Sequence, residues 1–117
     1  MIYEKDRLIK LGLHQLSPEW VANRTDHEGY DILSYDLDEH KQIVQIYIEV
    51  KTTSMKKDCP FFISRKEVEV SNKYDICYRI YRIYNVENET PGFYIVSGKI
   101  EDHFRIDPVS YLAELLP

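Results

Sequence analysis

Apolar and polar residues alternate most regularly in the run Ile43-Val44-Gln45-Ile46-Tyr47-Ile48-Glu49-Val50-Lys51. Val44, Ile46, Ile48 and Val50 fall on one side and are all β-branched. The other side, Ile43, Gln45, Tyr47, Glu49 and Lys51, grows more polar toward its C-terminal end. Successive side chains of a strand point to opposite faces, so this run predicts a strand with one face in the core. The same alternation sets a carboxylate and an ammonium, Glu49 and Lys51, together on the other face where the strand ends.

The rest of the chain organises around that strand. Residues 2–12 predict a short helix, with Glu4, Leu8 and Leu11 at i, i+4 and i+7 on one face and Gly12 able to end it. Ser17-Pro18 breaks the chain before a short strand, Trp20-Val21-Ala22, and a polar turn from Asn23 to Gly29. Residues 30–36 form the next expected strand, hinged on Gly29, and the polar connection 37–41 predicts a β-hairpin into the central run. A hairpin centred near His40 places Asp31 directly across from Glu49, at a Cβ separation of about 4.5–5.5 Å. A slip of one residue would send Asp31 to the opposite face.

Beyond Lys51 a polar loop runs to Pro60, followed by Phe61-Phe62-Ile63 as a brief strand. Ser64-Arg65-Lys66-Glu67 has the capping-box pattern and opens a helix to about Asn72. Residues 74–84, rich in Tyr and Ile, predict a long strand with Arg79 and Arg82 on opposite faces; a turn over 87–92 leads to a strand over 93–96. Asp107-Pro108 reads as an N-cap and first helical position for a closing helix with Val109, Leu112, Leu115 and Leu116 as its apolar stripe. The order is α-β-β-β-α-β plus a C-terminal strand and helix. This predicts an α+β fold, a central mixed sheet flanked by helices, as one domain over residues 1–117.

Composition fits a globular chain, with 44% hydrophobic and 13% aromatic residues among 117. There is no apolar run near the ~20 residues that a membrane span needs, and no basic head followed by an apolar core at the N-terminus. Two isolated cysteines, Cys59 and Cys77, suit a reducing compartment, so a cytoplasmic location is expected. The net charge of −5 argues against binding nucleic acid through bulk charge. Its distribution is uneven. Residues 51–82 carry eight basic against four acidic residues, leaving −9 on the remainder. That is either a solvated surface of mixed charge or a basic rim beside an acidic pocket.

Each chemically suggestive residue has a plain reading as well. Glu49 and Lys51 can be an ion pair, Asp31 a turn residue after Gly29, Glu67 a capping partner for Ser64, and Glu4 a favourable helix-dipole charge. The four histidines have no zinc-ligand spacing. Tyr78 and Tyr81 read as sheet residues that offer stacking surfaces for bases. No Ser-His-Asp or Cys-His set and no glycine-rich phosphate loop is present.

Taken together, Gly29-Tyr30-Asp31, Ile48-Glu49-Val50-Lys51-Thr52-Thr53, Phe62-Ile63-Ser64 with Glu67, and Tyr78-Arg79-Ile80-Tyr81 resemble the C-terminal domain of the plant NO VEIN protein and its prokaryotic relatives. That family is similar to the PD-(D/E)XK nucleases, and the resemblance implies a restriction-endonuclease-like αβββαβ core. It implies catalytic roles for Asp31, Glu49 and Lys51, with Mg²⁺ or Mn²⁺ held by Asp31, Glu49 and the Val50 carbonyl. Hard oxygen donors open to water suit Mg²⁺. Glu4 and Glu67 match positions of auxiliary acids. Lys56, Lys57, Arg65 and Lys66 would meet nucleic acid, most naturally DNA.

The implied activity is metal-dependent phosphodiester hydrolysis in a defence or restriction-type system. A helicase, an ATPase or another defence protein would be the partner, and a homodimer would suit the cutting of both strands. A non-catalytic nucleic-acid-binding or protein-interaction module on the same fold is the alternative. A regulatory or toxin-neutralising protein with an acidic surface is a third.

Overall fold

The computed structural model describes residues 1–21 and 28–117. Ala22, the expected end of the first strand, most of the polar turn that follows and His27 lie outside the described residues. The elements are α1 (Ile2–Lys10), β1 (Glu19–Trp20), β2 (Ile32–Leu37), β3 (Ile43–Thr52), α2 (Arg65–Tyr74), β4 (Tyr78–Tyr84), β5 (Gly92–Ser97) and α3 (Ile100–His103). The strands form one five-stranded sheet in the order β1-β2-β3-β4-β5. Neighbours are antiparallel except β3 and β4, which run parallel with α2 on the crossover between them. The fold is thus a mixed α+β arrangement with helices against a mixed sheet.

The alternation in β3 separates the two faces. Ile46 and Ile48 pack with Ile32 and Tyr81, extended by Val44 and Val50. On the other side Tyr47 joins Tyr78, Ile80, Val70 and Ile100, the core beneath α2. The odd positions of β3 pass from exposed at Ile43 and Gln45 to buried at Glu49. The polar end of the strand is therefore the covered end. α1 packs on the face of the even β3 residues: Glu4 bonds Ser34, which pairs with Ile46, and Tyr81, which pairs with Val50.

α1 ends where the sequence placed its glycine. Gly12 has φ +78, its N–H donates to Ile9 O, and Leu13 N–H donates to Leu8 O. This is a Schellman termination, and it turns Leu13 into the core. Leu11, expected on the buried face, is the C-cap residue and is exposed instead. α2 carries the full capping box: Glu67 N–H donates to Ser64 Oγ at 3.0 Å and Ser64 N–H to Glu67 Oε1 at 3.1 Å. It continues to Tyr74, and a 3₁₀ turn over Asp75–Cys77 precedes β4, so that strand starts later than its tyrosines imply.

Two expected elements are not formed. Phe61-Phe62-Ile63 has no strand structure because both edges of β3 are already taken by β2 and β4. Phe61 packs edge-on to Phe104 instead. The closing helix is absent: residues 104–117 have no regular structure, and Val109, Leu112, Leu115 and Leu116 are exposed. A helix of so few residues is marginal in water unless something covers its apolar stripe, and none of the described residues does. The short α3 was not expected; it is anchored by Ile100, whose N–H donates to Ser71 Oγ at 3.2 Å. No helix among the described residues is long and apolar enough to cross a membrane.

Gly29 holds the approach to β2. It has φ +77, its carbonyl accepts from Tyr78 OH at 3.0 Å, and a Cβ there would lie 2.7 Å from Val70 Cγ2. Gly29→Ala is expected to lose about 2 kcal/mol in a urea unfolding titration, from the left-handed backbone and the collision with α2 combined. An unchanged midpoint would show that α2 does not fix this turn.

Candidate active site

The pairing of β2 with β3 has the register expected from a hairpin centred on His40: Ile32 faces Ile48, Leu33 faces Tyr47 and Leu37 faces Ile43. Asp31 lies one step beyond the last pair, on the side of the sheet that Glu49 occupies. Its N–H donates to Ile48 O at 2.7 Å, and its Oδ2 accepts the Val50 N–H at 2.8 Å. The carboxylate thus takes up the Val50 donor just past the end of the ladder. Ile48 and Val50, the residues on either side of Glu49, are in this way tied directly to Asp31.

Lys51 and Glu67 complete the cluster. Lys51 Nζ lies 3.0 Å from Glu67 Oε1 and 3.4 Å from Glu49 Oε1. Glu67 Oε1 also accepts the Ser64 N–H, so one oxygen both caps α2 and receives the lysine. Glu49 is 6% exposed, and burial, reinforced by the negative charges of Glu67 and Asp31, pushes its carboxyl up to about 8 despite Lys51. Burial and the same three carboxylates also push the Tyr78 hydroxyl upward, so it stays a proton donor to Gly29 O.

Residues 1–96 match the family model described as Protein NO VEIN, C-terminal. The chain belongs to that family. No match is found to the curated proteins or to the solved structures. The matched span of this NO VEIN C-terminal domain includes all of α1 through β4, and therefore Asp31, Glu49, Lys51 and Glu67.

Glu4 is not brought to this cluster. It lies on the opposite face of the sheet, 2% exposed, where Oε1 accepts from Ser34 Oγ at 2.7 Å and from Arg7, and Oε2 accepts from Tyr81 OH at 2.9 Å. Arg7 also pairs with Asp36, which pairs in turn with Arg79. Burial alone would raise the Glu4 carboxyl, but the bonds from Arg7, Ser34 and Tyr81 outweigh it and hold the group below the usual range. An acid on the same helical face as two leucines signalled burial; only the sheet shows which side it is buried on.

The expected nucleic-acid residues spread along one side of α2 and the loop before it. Lys56 and Lys57 are exposed on that loop, with Lys57 5.9 Å from the Tyr94 ring. Arg65 is paired with Glu69 at 3.1 Å, and Lys66 is exposed on α2. Lys57 and Arg65 border a groove of about 1060 Å³ that contains none of the four clustered residues. Tyr78 and Tyr81 are buried in the two cores, so neither ring is open to a base. Arg82, not singled out by its sequence context, is the buried cation on the Lys51 face. Its signal was only its place in the alternation of the strand, paired in register with Lys51.

Two outcomes follow. Because the folded pKa of Glu49 lies above its unfolded value, its contribution to stability is complete below about pH 4.5 and is lost as pH rises to about 8. Glu49→Gln is therefore expected to be more stable than wild type at pH 8, by about 1–3 kcal/mol in urea titrations, with the gain vanishing near pH 4.5. Glu4→Ala should cost about 3 kcal/mol at neutral pH, since it leaves Arg7 facing an emptied, buried site. Wild-type stability at Glu4→Ala would place the network outside the folding core.

Proposed function

We propose that this NO VEIN C-terminal domain is a metal-dependent phosphodiesterase of the PD-(D/E)XK kind, with a restriction-endonuclease-like core, acting on nucleic acid and most naturally on DNA. The observation that carries the reading is the gathering of Asp31, Glu49 and Lys51 on one face at the end of β3. An acid at the start of one strand and an acid-x-lysine on its neighbour is the arrangement such chemistry uses. The core order α-β-β-β-α-β supports the same reading.

The donor set suits Mg²⁺ or Mn²⁺. Asp31 and Glu49 offer hard carboxylate oxygens, and the Val50 carbonyl would be the third protein donor, with water and phosphate completing the shell. The raised Glu49 carboxyl supports this, because crowded negative charge is what a divalent cation relieves. Among the described residues no three His, Cys, Asp or Glu side chains stand close enough to hold a metal by themselves. That is consistent with an ion that enters with its waters and the substrate phosphate. When bound, the ion would lower the pKa of a water and neutralise charge on the scissile phosphate.

Lys51 is the residue that acts on the reacting atoms. Its ammonium lies between Glu49 and Glu67, positioned to orient the attacking water and to stabilise the negative charge that builds on phosphorus oxygens. Glu67 holds that ammonium in place, and the capping box holds Glu67. Asp31 ties Val50, and with it the acid-x-lysine stretch, to β2. The net charge of −5 supports delivery of the substrate by a partner, a helicase, an ATPase or another defence-system protein, in the cytoplasm. A homodimer is the form suited to cutting both strands.

A second reading has its own support. Lys51 is already neutralised by two carboxylates, and no preformed metal cage exists among the described residues, as in a binding module that keeps a nuclease fold without its activity. Cleavage separates the two. Incubated with labelled single- and double-stranded DNA and RNA, the wild type is expected to cut in Mg²⁺ or Mn²⁺ and not in chelator. Asp31→Asn, which keeps an acceptor for the Val50 N–H, and Lys51→Ala should each lose activity by about 10²-fold or more while thermal unfolding shows a folded protein. Equal cutting by wild type and Lys51→Ala would reject the catalytic reading.

A further inference from the structure

Arg82 is 1% exposed and stands on β4 as the register partner of Lys51, so its side chain shares the Lys51 face of the sheet. An arginine so deeply buried ordinarily has a carboxylate. Among the described residues this one has none. Its Nη2 donates to the neutral Cys59 carbonyl at 2.9 Å, its guanidinium lies 5.0 Å from the Phe61 ring, and its Nε has no hydrogen-bond partner. Arg79, on the opposite face, also has an Nε without a partner but is paired with Asp36 at 2.6 Å, so what sets Arg82 apart is the missing carboxylate.

The surroundings of Arg82 connect two features that are otherwise separate. On one side it neighbours Lys51 and hence the carboxylate cluster. On the other it touches Cys59 and Phe61, which form part of the wall of the groove of about 1060 Å³. Basic residues on that groove are matched by acids: Lys57, Arg65 and Arg105 against Asp58, Glu101 and Asp107. Two of the three are already paired, Arg65 with Glu69 and Arg105 with Asp107. Lys57 lies 5.9 Å from the Tyr94 ring at the exposed surface, and the buried positive charge at this place is Arg82, directly behind Cys59 and Phe61. That loop is fastened at its two ends, by Thr53 N–H to Ile83 O and by the Ser64 cap; between them Met55 O accepts from Asn85 N–H and Phe61 packs on Phe104.

We propose that Arg82 is a phosphate-binding residue: a nucleic-acid strand lies along the groove, and the segment around Cys59 and Phe61 gives way so that a backbone phosphate takes the guanidinium. The free Nε and the Nη2 now on Cys59 O present the paired donors that a phosphate accepts in bidentate fashion. The Cys59 carbonyl is a neutral stand-in acceptor, so the exchange replaces one hydrogen bond to a neutral oxygen with two to an anion. The phosphate so held lies next to Lys51, which sets the register of the strand relative to the carboxylates. This inference rests on the nuclease reading only in taking a phosphodiester as ligand.

The test uses the full chain and a fluorescein-labelled oligonucleotide, single- or double-stranded, with anisotropy read in chelator so that no cleavage occurs. Arg82→Met, which keeps an apolar stem against Phe61, is expected to weaken binding by about tenfold or more, and Arg82→Lys to restore part of it. In wild type, the Arg82 Nε–Hε resonance should shift on saturation with the oligonucleotide. A folded Arg82→Met that binds as wild type does, or a wild-type Nε–Hε resonance that stays unmoved, overturns the proposal; the second readout holds even where Arg82→Met fails to fold. Cleavage in Mg²⁺ is scored separately. Arg82-dependent binding without cleavage supports this proposal and counts against the nuclease reading alone, whereas cleavage with Arg82-independent binding overturns this proposal alone.

Discussion

The antiparallel pairing of β2 with β3 fixes which side chains meet at the end of the central strand. With Ile32 opposite Ile48, Asp31 arrives beside Glu49 and its carboxylate reaches the Val50 N–H. The apolar residues of the two strands enforce that register, since a slip of one would turn Ile32 to the face opposite Ile46 and Ile48. Gly29 adds a second restraint by letting the chain pass against α2 before it enters β2. The chemistry at the surface of this sheet is therefore held by packing on its other face.

The cluster so assembled is electrostatically costly. Three carboxylates share one side of the sheet with a single close lysine, and the most buried of them, Glu49, is held toward its protonated form. Glu67 reduces the conformational cost of keeping Lys51 in place, because its oxygen is already fixed by the helix cap. A residue that a capping pattern fully explains can thus also shape a site; the two roles use the same atom.

The sheet gives its two faces different electrostatic designs. Under α1 the acids and arginines are matched, Glu4 with Arg7 and Asp36 with Arg7 and Arg79, as a buried network must be to persist. On the α2 face the charges are left unbalanced in both senses, with excess carboxylate around Glu49 and an arginine without an acid at Arg82. Imbalance of that kind disfavours the folded chain. The contrast supports a ligand-binding role for the α2 face and a structural one for the α1 face.

The sequence by itself determined the elements whose signals are local. Period-two alternation marked β3, the S-x-x-E pattern marked the start of α2, Gly12 marked the end of α1, and the length of the 37–41 connection gave the hairpin register. The family resemblance pointed to Asp31, Glu49, Lys51, Glu67 and Glu4 together, and the fold gathers the first four and sets Glu4 on the other face. What the sequence left open depended on partners distant in the chain. Phe61-Phe62-Ile63 had strand composition but no free edge on β3, and the stripe from Val109 to Leu116 had helical spacing but is left exposed. Glu4 was expected as a helix-dipole charge or an auxiliary acid, while its burial and its side of the sheet were decided by Ser34 and Tyr81, residues 30 and 77 positions away. Arg82 and Arg79 were told apart in the sequence only by the strand face each takes. Only the tertiary structure, by placing a carboxylate beside one and a carbonyl beside the other, separated a structural arginine from an uncompensated one.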